Sequence, residues 1–221
     1  RAYRKGRVTM AQHPNPLIER MATDLQPVRT LKFRDGFALV CVAALLTVLA
    51  VEMIHGLWRG VLIGQASAFF VLTNGLLLVL GIASTHSVIN MANPRVGANY
   101  DGPQWAMAMA AVLPAAALFT VVSDQSIPAL INDLGVGCFK AALLTSALIA
   151  GAMVFWLRRG APVSPARAGL HLGVASTALG SVAYGLACPL DGVVHLGIWH
   201  VMPVIVGGLL GRFLLPPVLR W

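Results

Sequence analysis

Cys138 and Cys188 are the residues of this chain best suited to chemistry, because each stands where a long apolar run meets a polar turn. Cys138 opens the run 138–157, and Cys188 follows the run 168–187 within Ala187-Cys188-Pro189-Leu190-Asp191-Gly192. Two thiols held together in an oxidising compartment can close a disulfide, and as thiolates they bind soft or borderline metal ions. Asp191 and His195 follow closely, with His200 about a turn deeper, so a Cys2His2 or Cys2His/Asp set for zinc, cadmium or copper is within reach. The spacing is loose: no CxxC or HxxxH occurs, and His195 and His200 are five apart, which an α-helix does not place on one face. The plain alternative is that both cysteines are buried at helix ends as small apolar side chains. Cys41, among Val40, Val42 and Ala43, reads as a packed thiol of that kind, and Glu52 with His55 reads as a polar pair at the end of its own run.

The elements that must position these residues follow from composition. Of 221 residues, 57% are hydrophobic and 11% charged, and the mean hydropathy is +0.77. Soluble domains carry roughly 25% charged residues, so the composition predicts an integral membrane protein. Six apolar runs, at about 37–56, 63–84, 104–122, 138–157, 168–187 and 193–215, approach or exceed the ~20 residues that span ~30 Å of hydrocarbon. In a bilayer each must be helical, since unpaired backbone groups find no water there. The expected fold is all-α: a bundle of six transmembrane helices over residues 37–221, preceded by a basic cytoplasmic tail over 1–36. Residues 1–9 precede Met10 and are set aside as an expression remnant or an upstream extension. Pro114 and Pro203 are expected to kink packed helices. Gly56, Gly60 and Gly64, Gly169 and Gly173, and Gly207 and Gly211 repeat a small-xxx-small spacing that suits close helix approach within the chain or between copies.

Charge sets the orientation. The tail holds Arg1, Arg4, Lys5, Arg7, Arg20, Arg29, Lys32 and Arg34; with it inside, the inner segments also hold Arg95, Arg158, Arg159, Arg167, Arg212 and Arg220, leaving only Arg59 and Lys140 outside. The positive-inside rule then predicts cytoplasmic termini and an outer face that carries Cys138, Cys188 and Asp191. Within the tail, residues 16–30 read as a short amphipathic helix with Leu17, Ile18, Met21 and Leu25 on one stripe, ended or kinked by Pro27. Such a helix either lies on anionic lipid or docks into a partner's groove. No nucleic-acid-binding motif accompanies the basic tail, so direct nucleic-acid contact is not expected.

Several segments together resemble the NrsF family of membrane anti-sigma factors. They are the tail from Leu17-Ile18 through Asp24-Leu25-Gln26-Pro27-Val28-Arg29, the loop Arg159-Gly160-Ala161-Pro162, Ala183-Tyr184 before Cys188-Pro189, Trp199, and the closing Leu219-Arg220-Trp221. The resemblance runs from about residue 16 to the end. Family members tend to have His before the Cys-Pro pair and Tyr after the Trp, where this chain has Ala187 and His200.

What the resemblance implies is a non-enzymatic, multi-pass protein of the bacterial cytoplasmic membrane. It would hold an extracytoplasmic-function sigma factor and release it under heavy-metal or oxidative stress. Cys138 and Cys188 would be its sensor cysteines; on the residues themselves, apart from the resemblance, Cys138, Cys188, Asp191 and His195 could coordinate a heavy-metal ion transiently. Leu17, Ile18, Met21, Asp24, Leu25, Val28 and Arg29 would bind the sigma factor. Beyond that transient ion no cofactor is expected, and membrane lipid is the other partner. A small transporter or membrane thiol oxidoreductase is the alternative; deleting residues 10–34 separates the classes, because only a regulator loses its partner.

Overall fold

The computed structural model describes residues 16–23, 30–93, 100, 102–124 and 133–219. The chain divides into two compact units, Arg1–Thr30 and Leu31–Trp221. In the first, α1 (Pro16–Thr23) starts on proline, whose fixed φ and missing N–H suit a first helical position. Leu17, Ile18 and Met21 are exposed, and their spacing gathers them on one stripe. Asp24, Leu25, Val28 and Arg29, expected to continue that surface, lie outside the described residues.

The second unit contains α2 (Phe33–His55), α3 (Arg59–Leu62), α4 (Ala68–Met91), α5 (Gly102–Ala110), α6 (Val112–Ser123), α7 (Asp133–Arg158) and α8 (Pro165–Gly185). These are followed by α9 (Val193–His195), a π-helical turn (Leu196–His200), α10 (Met202–Leu214) and α11 (Pro216–Leu219). Among the described residues there is no strand. Among the described residues, five helical stretches are long and apolar enough to cross a membrane: Phe33–His55, Ala68–Met91, Gly102–Ser123, Leu134–Arg158 and Val193–Leu214. Their exposed side chains suit hydrocarbon rather than water, as on α2, where Val42, Leu45, Leu46, Leu49, Met53 and Ile54 face outward. Cys41 is exposed on the same helix.

The run expected as a fifth span, 168–187, is α8, which has 21 residues but is diluted by Gly, Ser and Thr. Its position accounts for that composition. α8 packs against α4, α7 and α10, and no residue from Ala168 to Cys188 is exposed. A helix covered by protein does not need lipid-soluble side chains, and small residues let its neighbours approach. Gly169 and Gly173 meet Gly211 and Gly207 of α10 backbone to backbone, so that a Cβ at Gly173 would strike the Gly207 carbonyl. Gly180 lies against the Ser146 backbone of α7, and Thr145 of α7 donates to the Gly180 carbonyl at 3.1 Å. Interhelical bonds of this kind contribute about 0.6 kcal/mol on average in a membrane. Gly169, Gly173, Gly207 and Gly211 therefore serve packing within the chain.

Gly56 and Gly64 have a different use. Both have φ of +72°, the left-handed region that favours glycine, and they turn the chain out of α2 and into the α4 approach. The second span accordingly begins at Ala68, later than the apolar residues from 61 to 63 suggest. Ser67 fixes that start by accepting a hydrogen bond from the Phe70 N–H, as an N-cap does. The third span is interrupted at Ala111, between α5 and α6. Pro114 explains the break, since it has no N–H for the Ala110 carbonyl and its ring crowds that group.

Two buried clusters fill the bundle. Val40, Ile89, Ile149, Met153, Trp156, Leu157 and Leu172 join α2, α4, α7 and α8, while Leu77, Leu80, Leu113, Val174 and Val204 join α4, α6, α8 and α10. The end of the bundle that carries Arg158 and Arg159 is tied by the Trp156 indole N–H to the Ile89 carbonyl at 3.3 Å. There the Ala161 N–H also donates to the Ala92 carbonyl at 2.9 Å.

Candidate functional site

The other end of α7 and α8 carries the chemistry. Cys138 stands in the second turn of α7, which begins at Asp133 rather than at the cysteine. Cys188 follows α8 in a tight turn, its N–H donating to the Gly185 carbonyl at 3.2 Å. Both are buried, and their sulfurs are 3.7 Å apart although 50 residues separate them in the chain. The Tyr184 hydroxyl donates to the Cys138 sulfur at 3.8 Å. On the other side, His195 Nε2 is 3.5 Å from the Cys188 sulfur.

His200 completes the group. The ligand atoms of Cys138, Cys188, His195 and His200 all lie within 4.8 Å of one another, and all four residues are buried. The expectation that His195 and His200 point apart assumed an α-helix. The chain between them is instead the π-helical turn Leu196–His200, whose i→i+5 closure brings residues five apart onto one face. The two rings meet edge to face with centroids 5.5 Å apart. Pro203, at the start of α10, supplies a local reason: lacking an N–H, it leaves the Trp199 carbonyl without its α-helical donor and permits the wider turn.

Asp191 is not part of this cluster. Its carboxylate accepts the Ser67 N–H at 3.0 Å, and its backbone carbonyl accepts the Ser67 hydroxyl at 3.1 Å. The Leu186 carbonyl accepts the Trp58 N–H at 2.8 Å. Asp191 thus secures the Cys188 turn to the connection before α4, a positional role that a short acidic side chain beside a free N–H readily takes. Glu52 accepts the Leu57 N–H, and His55 lies edge-on to Tyr184 at 5.4 Å between centroids.

The polar groups of the cluster are incompletely paired. Both ring nitrogens of His200 and the Trp199 indole nitrogen are buried without a hydrogen-bond partner, a state that costs free energy unless another group satisfies it. The hydrogen bond with Cys138, and after it burial, hold the Cys188 thiol above the usual thiol range. A thiol pair of this kind can lose two hydrogens to an oxidant or exchange its protons for a metal ion. Two residues of the group were under-read from sequence. Tyr184 had a usable signal, four residues before Cys188, whereas the alignment of His200 depends on a π turn that no residue pattern announces.

Among solved structures, none matches this chain. A curated relative from Azospira oryzae, the probable anti-sigma-F factor NrsF, is 26% identical over 160 residues, covering 66% of this chain and 70% of that protein. The anti-sigma-F factor NrsF of Caulobacter vibrioides is 35% identical over 71 residues, covering 32% of this chain and 33% of that protein. The family model described as negative regulator of sigma F matches residues 21–221, which take in every helix of the second unit and all four residues of the cluster. The chain therefore belongs to the NrsF family, the negative regulators of sigma F.

Proposed function

We propose that this chain is a membrane anti-sigma factor that senses heavy metal or oxidant through Cys138 and Cys188 on the periplasmic side of the bacterial inner membrane. Its output is the N-terminal segment, where Leu17, Ile18, Met21, Asp24, Leu25, Val28 and Arg29 hold an extracytoplasmic-function sigma factor. All six apolar runs cross the bilayer, with α8 as the protein-enclosed span and both termini in the cytoplasm. The observation that carries the reading is the meeting of two buried thiols, 3.7 Å apart, from separate helices. A family of negative regulators needs an input, and this is a place where one chemical event would change how α7 and α8 fit together.

The route inward is short. α7 packs on α2, where Trp156 covers Gly36, and residues 16–30 precede α2 in the sequence. A ligand or bond at the cysteine end shifts the balance between sigma-bound and sigma-free arrangements only by its differential interaction with the two, and ~1–3 kcal/mol is sufficient for a regulatory response. The role is regulatory and calls for no catalytic group. The test is capture of a sigma factor from the native membrane fraction by the solubilised chain. Full-length protein is expected to retain it, and a chain lacking residues 10–34 to lose it while still inserting. Retention by the truncated chain would exclude the N-terminal segment as the docking element.

A further inference from the structure

We infer that Cys138, Cys188, His195 and His200 form a tetrahedral site for a divalent zinc- or cadmium-class cation, with His200 as the fourth ligand. The inference rests on the reading of the cysteine pair as the input and gives that input its chemistry. With metal–sulfur bonds of about 2.3 Å and metal–nitrogen bonds of about 2.0–2.1 Å, a tetrahedron has edges of about 3.7 Å between sulfurs and about 3.5 Å from sulfur to nitrogen. The Cys138 and Cys188 sulfurs are 3.7 Å apart, and the Cys188 sulfur is 3.5 Å from His195 Nε2. His200 brings its donor into the same group, within 4.8 Å of the others. Independently of these distances, both His200 ring nitrogens are buried and unpartnered. A core histidine kept for packing would be expected to bond at least one of them.

Two thiols with two imidazoles match the donor preference of zinc and cadmium, whereas calcium and magnesium prefer oxygen. Binding converts M2+ and two Cys–SH groups into a site with two thiolates and releases two protons to solvent; no oxidant takes part. The Tyr184 hydroxyl, 3.8 Å from the Cys138 sulfur, would donate to that thiolate, as outer partners of metal ligands commonly do. Asp191, engaged with Ser67, stays outside the ligand set. The site closes only if the π turn holds His195 and His200 on one face, which links ion binding to the start of α10.

The experiment titrates Co2+, then Zn2+ or Cd2+, into the reduced, detergent-solubilised full chain under anaerobic conditions. The expected result is intense tetrahedral d–d absorption with thiolate-to-cobalt charge transfer, saturating at a single ion per chain and abolished by Zn2+ or Cd2+ but not by Mg2+. His200→Ala should weaken binding by at least about tenfold and His200→Cys should restore a tetrahedral spectrum, while Asp191→Asn and Cys41→Ser should leave the titration unchanged. Gel filtration of each variant separates ligand loss from misfolding, and the His200→Cys rescue keeps the test decisive. A six-coordinate cobalt spectrum, or a titration untouched by His200→Ala, would overturn the site. If the spectrum is absent while cysteine substitution still blocks sigma release by an oxidant, the metal site fails and the sensor reading stands. If the spectrum is present while cysteine substitution leaves sigma release unchanged, the site stands and the sensor reading fails.

Discussion

At the scale of single residues, burial and partners separate three chemically identical thiols. Cys138 and Cys188 face each other inside the bundle, whereas Cys41 is exposed on α2. Treatment of the solubilised chain with diamide is therefore expected to consume the Cys138 and Cys188 thiols within one chain, with Cys41 remaining open to alkylation. Mass spectrometry of the alkylated protein checks this, and a Cys41→Ser variant should form the same internal bond. The chemical identity of the pair was legible in the sequence, because charge counting put both thiols at the same end of neighbouring helices. Asp191 shows where proximity in sequence stops short: it follows Cys188 closely in the chain, but its carboxylate accepts the Ser67 N–H, and the clustered ligand atoms are those of Cys138, Cys188, His195 and His200.

Helices and turns decide whether those residues can act together. The contact between Gly173 of α8 and Gly207 of α10 leaves no room for a side chain, so Gly173→Leu should force the helices apart and destabilise the bundle by at least about 1–3 kcal/mol. Thermal unfolding in detergent, read against wild type, measures it. The π turn makes a subtler prediction. Pro203→Ala restores the missing donor, which should favour an ordinary α-helical turn, rotate His200 away from His195 and reduce Co2+ affinity about tenfold without a comparable loss of fold. In the N-terminal unit, Leu17→Glu and Met21→Glu place charge on the exposed stripe of α1 and should each remove sigma-factor capture by the solubilised protein. The helical stretches were readable because a run of about 20 apolar residues suited to cross hydrocarbon has to satisfy its backbone groups within itself. The exceptions had local causes: positive φ at Gly56 and Gly64 moved the start of α4, Pro114 divided the third span, and the π turn was hidden because sequence periodicity presupposes 3.6 residues per turn.

For the whole molecule, the proposed function requires the cysteine end to face the periplasm and the N-terminal segment the cytoplasm. The strong bias of Lys and Arg to one side of the six runs predicts that green fluorescent protein fused after Trp221 fluoresces, whereas alkaline phosphatase fused there is inactive. The reverse pattern would place the cysteines in the cytoplasm. Whether chemistry at the pair releases a partner held at the N-terminus is read from the amount of sigma factor retained on the solubilised chain. Retention should be measured before and after Cd2+ or diamide, in wild type and in Cys138→Ser and Cys188→Ser variants. Wild type is expected to release its partner under either treatment while both variants retain it; equal release from the variants, or none from wild type, would overturn the sensor reading.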